Sequence, residues 1–151
     1  TPKFKEKAIF LYDKEDQFRP EVQAYHNIVR KFKSKKKKLI ITRESSSKPG
    51  YLSHQYVELE RKFKDFDSIQ VCQYNPQLGL IPIEISDIFP AAHHETSRID
   101  FEPKEFSTFE ETWRCFFDNN KFSEIHYDKN DKFLKYFIKT LPKEIKKKSF
   151  V

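Results

Sequence analysis

Four short bursts of β-branched and aromatic residues alternate along this chain with four stretches of helical period. That alternation constrains the fold more than any other feature. Strands that alternate with amphipathic helices build a mostly parallel sheet with helices against it. Ala8 to Tyr12 is the first, weaker strand candidate. Pro20 opens a helix, a residue pre-set for the first helical position, and Val22, Tyr25, Val29 and Phe32 recur on one face. Leu39-Ile40-Ile41 predicts a buried strand. Ser53 is placed to cap a second helix whose face is Tyr56, Leu59, Phe63 and Phe66. Ser68 to Tyr74 predicts another strand. Ser107 and Glu110 read as a capping box before the stripe Phe109, Trp113, Phe116, Phe117. Phe122 to Tyr127 predicts a further strand. Asp131 caps a last helix with Phe133, Leu134, Phe137, Ile138 and Leu141 inside. The expected fold is a single α/β domain, a three-layer sandwich on a short, mostly parallel sheet. Its core spans about 19–141, with a basic tail over 142–151.

Sixteen Phe, seven Tyr and one Trp supply the core. The formal charge of +6 permits an anionic partner without demanding one. Cys72 and Cys115 stand far apart, with no Cys/His ligand spacing, so no structural metal is expected. Two isolated cysteines fit a reducing compartment. No apolar run approaches the roughly 20 residues of a membrane span, and the opening TPKFKEK carries no apolar leader. The expectation is a cytoplasmic domain belonging to something larger.

In an open parallel sheet, ligands sit outside the carboxyl ends of the strands. Three loops are predicted to meet there: Arg43 to His54, Asn75 to His94, and Tyr127 to Asn130. They hold Ser45, Ser46, Ser47, Lys48, Tyr51, Ser53, His54, Asn75, Gly79, His93, His94, Tyr127 and Asp128. Both glycines, Gly50 and Gly79, fall in these loops, and Gly79 suits a turn position with positive φ. Adjacent histidines point apart, so His93 and His94 read more readily as hydrogen-bonding groups than as metal ligands. Cys72, inside a predicted strand, reads as buried and inert. There is no G-x-S-x-G elbow and no Gly-rich phosphate loop. The runs Lys33 to Lys38 and Lys143 to Lys148 are expected at the opposite, amino edge of the sheet. There they read as a solvated face or as phosphate contacts to RNA through Lys35, Lys36, Lys37 and Lys38.

The stretch NPQLGLIPIEISDIFPAAH resembles the P-x-L-G-x-x-P and YPAAH motifs of the archaeosine synthase family. RPEVQAYHNIVRKF resembles that family's helix with HPEV-x-x-YH, and FSEIHYDKNDKFLKYFIKTL its strand–helix ending. Together these cover residues 19–141. After the first core strand the family carries Pro-Cys, then Lys-Pro-Tyr, Ser and His. This chain has ITRESSSKPGYLSH there. Lys48 and Pro49 match directly, while Tyr51, Ser53 and His54 match across an inserted Gly50. The Pro-Cys positions fall on Arg43 and Glu44, so the thiol is missing.

The resemblance implies a uracil-DNA-glycosylase-like domain acting in archaeal tRNA modification, as a divergent or split lysine-transfer domain. The reaction places lysine on the nitrile of a 7-cyano-7-deazaguanine base. It implies tRNA as partner, with transglycosylase-like and radical-SAM subunits beside it, and no cofactor of its own. Lys48, His54 and His93 would be the catalytic residues. Ser47, Tyr51, Ser53, Asn75, Gly79 and His94 would bind substrate. The missing thiol leaves open the alternative of a non-catalytic RNA-binding or scaffolding homologue.

Overall fold

The computed structural model describes residues 9–45, 48–96 and 101–150. In chain order the elements are β1 (Ile9–Leu11), α1 (Pro20–Arg30), β2 (Lys38–Arg43), α2 (His54–Lys62), β3 (Ile69–Asn75) and β4 (Gly79–Pro82). They continue with β5 (His94–Thr96), α3 (Ser107–Asn119), β6 (Glu124–Asp128), α4 (Lys132–Ile138) and β7 (Lys146–Phe150). Among the described residues this is an α/β fold with four α-helices and a mixed five-stranded sheet, ordered β4-β3-β2-β6-β7. The pairs β2–β3, β2–β6 and β6–β7 are parallel and β3–β4 is antiparallel. A separate parallel ladder joins β1 to β5, with Ile9 opposite His94.

The period-2 alternation of β2 sorts its side chains onto two faces. Leu39 and Ile41 join the larger core with α1, α3 and α4, while Ile40 joins a second cluster with Leu59, Phe66, Ile69 and Val71. Helices therefore cover both faces of the sheet, an arrangement of three layers. In the larger core Phe109 meets Tyr74, Phe133 and Phe137 at ring-centroid distances of 5.9, 5.1 and 4.7 Å, within the range where aromatic edges and faces attract. Cys72 is buried there, and burial pushes its thiol well above the ordinary range, so it is no nucleophile at neutral pH.

Several expectations are corrected. Ser107 does not cap α3 but is its first residue, and Phe106 occupies the cap position. The orphan amide of Thr108 and the Thr108 hydroxyl both donate to Gln17 Oε1, at 3.2 and 2.9 Å. A glutamine 91 positions upstream thus does the work expected of a local box. The expected basic tail is in part a strand, because β7 adds parallel to β6 and Lys148 reaches Glu124 at 3.2 Å. Lysines on an exposed edge strand discourage pairing with another chain. Inside the expected long loop, Gly79–Pro82 folds back on β3 as β4. Other local readings agree with the structure. Pro20 stands at the start of α1, Ser53 Oγ accepts from Tyr56 N at 3.1 Å, and Asp131 Oδ1 accepts from Leu134 N at 2.9 Å. Among the described residues no helix is long and apolar enough to cross a membrane.

Candidate functional site

The strand order fixes where a site can form. From β2 the chain steps to β3 on one side and later to β6 on the other, so the connections diverge outside the carboxyl ends of β2 and β6. Two clefts open at that point. One, of about 890 Å³, lies between α4 and the segment Phe101–Pro103. The other, of about 590 Å³, lies between α2 and Phe150. Arg43, Asp128 and Asp131 line both.

Each of these three residues is held by its neighbours. Asp131 caps α4 through Oδ1 and accepts the Tyr74 hydroxyl on Oδ2 at 2.5 Å. Burial, then the nearby Asp131 charge, hold the Tyr74 hydroxyl well above the ordinary phenol range, so it stays a donor. Asp128 Oδ1 accepts the Asn130 amide at 2.9 Å. The guanidinium of Arg43 sits 5.9 Å from the centroid of the Tyr74 ring, within cation–π range.

Beside this crevice Glu44 forms a second polar centre. Its carboxylate takes His94 Nε2 at 2.7 and 3.0 Å and Asn75 Nδ2 at 2.8 Å. The His94 side chain is 0% exposed and that of Glu44 is 5%. His94 Nδ1 is 2.9 Å from the Pro90 carbonyl. Asn75 also accepts the amides of Gln77 and Leu78 on Oδ1, both at 2.9 Å, which shapes the turn into β4. The turn ends at Gly79, whose φ of +95° is the left-handed conformation foreseen for it. The ring of His26 lies against Gly79, where an added Cβ would sit 2.8 Å from Cε1. Burial lowers His26 to about 4, so its ring is neutral at pH 7. Nε2–H then donates to the Gln77 carbonyl at 3.1 Å, and Nδ1 accepts the Thr112 hydroxyl.

The structure draws together only part of the expected constellation. Asn75 and His94 meet on Glu44. Lys48 Nζ points to the Ser45 carbonyl at 3.4 Å, within its own loop. His54, at the first turn of α2, is 85% exposed and pairs with Glu58 at 3.3 Å. His93 is exposed, with its ring 6.3 Å from that of Phe89. Tyr51 is exposed in the turn Gly50–Leu52, and Ser53 is buried as the α2 cap. Ser46 and Ser47 lie outside the described residues. Lys35 and Lys37 are exposed ahead of β2, whereas Lys36 Nζ lies 3.4 Å from the Ile69 carbonyl and Lys38 pairs with Asp65 at 3.0 Å.

Sequence reasoning singled out neither Arg43 nor Glu44 as a site residue. A signal was present for the cleft: Lys132, Lys135, Tyr136 and Lys139 recur at i, i+3, i+4 and i+7, one solvent-facing stripe of α4 and its C-cap opposite the apolar face. No family model, curated protein or solved structure matches this chain.

Proposed function

We propose that this chain is a divergent, uracil-DNA-glycosylase-like domain of the archaeosine-synthase kind. In this reading it serves tRNA modification by binding RNA beside catalytic partner subunits, and does not itself transfer lysine. The observation that carries this reading is the state of Glu44. In the resemblance, Glu44 stands where the family has its cysteine. Its carboxylate here is turned inward and bonded to His94 and Asn75. A carboxylate so engaged and only 5% exposed presents no nucleophile to a bound base. The residues of NPQLGLIPIEISDIFPAAH instead form the Asn75 turn and β4 beside the carboxyl end of β3, and His94, the next residue, anchors their end on Glu44. On the opposite edge, exposed Lys35 and Lys37 supply charge suited to phosphate.

The test is to incubate the protein with lysine and tRNA bearing 7-cyano-7-deazaguanine, with and without candidate partner subunits. Mass spectrometry of the base and filter binding of the tRNA are the two readouts. Salt-sensitive binding without a lysine adduct is the expected result. An adduct made by this chain alone, and lost on replacing Lys48, His54 and His93, would establish the catalytic reading instead. No detectable tRNA binding would overturn both.

A further inference from the structure

The cleft between α4 and Phe101–Pro103 has no role in the reading above, and its walls have a definite chemistry. We infer that it is a nucleotide-phosphate site, taking a ligand that carries both a phosphate and a flat ring. Arg43 forms the floor, half-buried and without a carboxylate partner among the described residues. Its fork of N–H donors matches a phosphate oxygen pair. Lys132, Lys135 and Lys139 rise along one wall, and none forms an ion pair among the described residues.

Three acids, Glu102, Asp128 and Asp131, also line the cleft, but two of them are engaged. Asp131 has both oxygens committed, to Leu134 N and to the Tyr74 hydroxyl. Asp128 accepts the Asn130 amide on Oδ1. These bonds orient the acids without removing their charge, and the four cations Arg43, Lys132, Lys135 and Lys139 outnumber the three acids by one. Tyr136, 45% exposed on the same stripe, and half-buried Phe101 across the cleft offer aromatic faces on which a base can stack. About 890 Å³ is ample for a mononucleotide. An exposed lysine stripe by itself is ordinary solvated surface. What sets this one apart is the cleft it borders and, at its base, an arginine that rests on the Tyr74 ring with no carboxylate partner among the described residues.

This inference does not rest on the tRNA reading; a free nucleotide and a nucleotide within a strand carry the same chemistry, and the test separates the two. The test measures binding of adenosine monophosphate, adenosine, inorganic phosphate and a single-stranded RNA hexanucleotide to the full chain by calorimetry. Adenosine monophosphate should bind saturably, with adenosine and phosphate each at least about tenfold weaker. The double variant Lys135→Gln/Lys139→Gln and the single variant Tyr136→Leu, all at exposed positions, should each weaken binding about tenfold. Arg43→Gln should weaken it further, with circular dichroism to confirm the fold. If only the hexanucleotide binds, and weakens in the same variants, the ligand is a nucleotide within a strand. Absence of binding by both nucleotide probes, or binding that the surface variants leave unchanged, would overturn the site.

Discussion

Glu44 holds His94 across 50 positions of sequence, with carboxylate oxygens 2.7 and 3.0 Å from Nε2 and both side chains almost wholly buried. The pair fastens the FPAAH segment to the carboxyl end of β2. Removing one partner leaves the other buried without its bond, a loss of about 3 kcal/mol or more. Glu44→Ala should therefore lower stability to urea by that order. A variant within about 0.5 kcal/mol of the parent, the usual range for an indifferent surface change, would mean the pair anchors nothing.

His26 gives the fold a pH dependence of known sign. Its folded value is about 4 against an ordinary 6.5, chiefly because burial disfavours the charged ring, and the neighbouring Arg30 and Glu111 act in opposite directions. Between these values the unfolded chain binds the extra proton. The contribution is thus complete above pH 6.5 and is lost as pH falls toward 4, by about 3 kcal/mol in all. Chemical denaturation between pH 4 and 7 measures the slope. His26→Gln, which cannot titrate, should flatten it by roughly that amount, and an unchanged slope would assign the dependence to other groups.

Gly79 meets two constraints at once, a φ of +95° and a histidine ring 2.8 Å from where a Cβ would stand. Alanine there is strained by backbone and neighbour together, at about 2 kcal/mol. Thermal unfolding of Gly79→Ala should drop by roughly 4–8 °C for a domain of this size. A shift under about 1 °C would show that the turn and the ring yield freely.

The features legible in the sequence were those set by neighbours in the chain. Pro20, Ser53 and Asp131 begin helices with their own side chains or ring, and Leu39 to Ile41 is apolar enough to be buried on both faces. The features missed depend on distant partners. Nothing local tells that Gln17 will cap α3, or that Phe106, fully buried, will take the cap position and leave Ser107 as the first helical residue. Leu80 and Ile81 are hidden as a strand between Gly79 and Pro82, residues that ordinarily argue against one. The β7 lysines resemble a solvated tail until pairing with β6 is seen. For the site, the strand order points to the carboxyl edge, while the motif ends on His93, which is exposed, and the buried histidine is its neighbour His94. Glu44, its partner, lies in a loop whose composition gives no hint of burial.

The Gln17 cap can be tested directly. Its Oε1 serves Thr108 twice, while Nε2 donates to the carbonyls of Lys14 and Glu105 at 2.8 and 2.9 Å. Gln17→Ala leaves a buried helix amide unsatisfied, which costs about 2 kcal/mol. Gln17→Glu should restore less than half, since it keeps the acceptor but loses both donors. Full recovery in the Glu variant would show that the acceptor bonds alone matter.

On the proposed RNA face the lysines are not equivalent, because the extended chain before β2 turns alternate residues outward. Lys35 and Lys37 are exposed, whereas Lys36 folds toward the Ile69 carbonyl and Lys38 toward Asp65. Each lysine that neutralises a phosphate contributes about 0.7 to 0.9 to the slope of log affinity against log salt, the range from single strands to a B-form duplex. Replacing Lys35 and Lys37 with glutamine should therefore reduce that slope by about 2, and weaken tRNA binding without regard to sequence. The Lys36→Gln/Lys38→Gln variant should change it by less, since those ammonium groups already have protein partners. Filter binding between 50 and 200 mM salt separates the two pairs. Equal losses would mean the whole run acts as diffuse charge, and no loss in either would place the RNA contact elsewhere on the molecule.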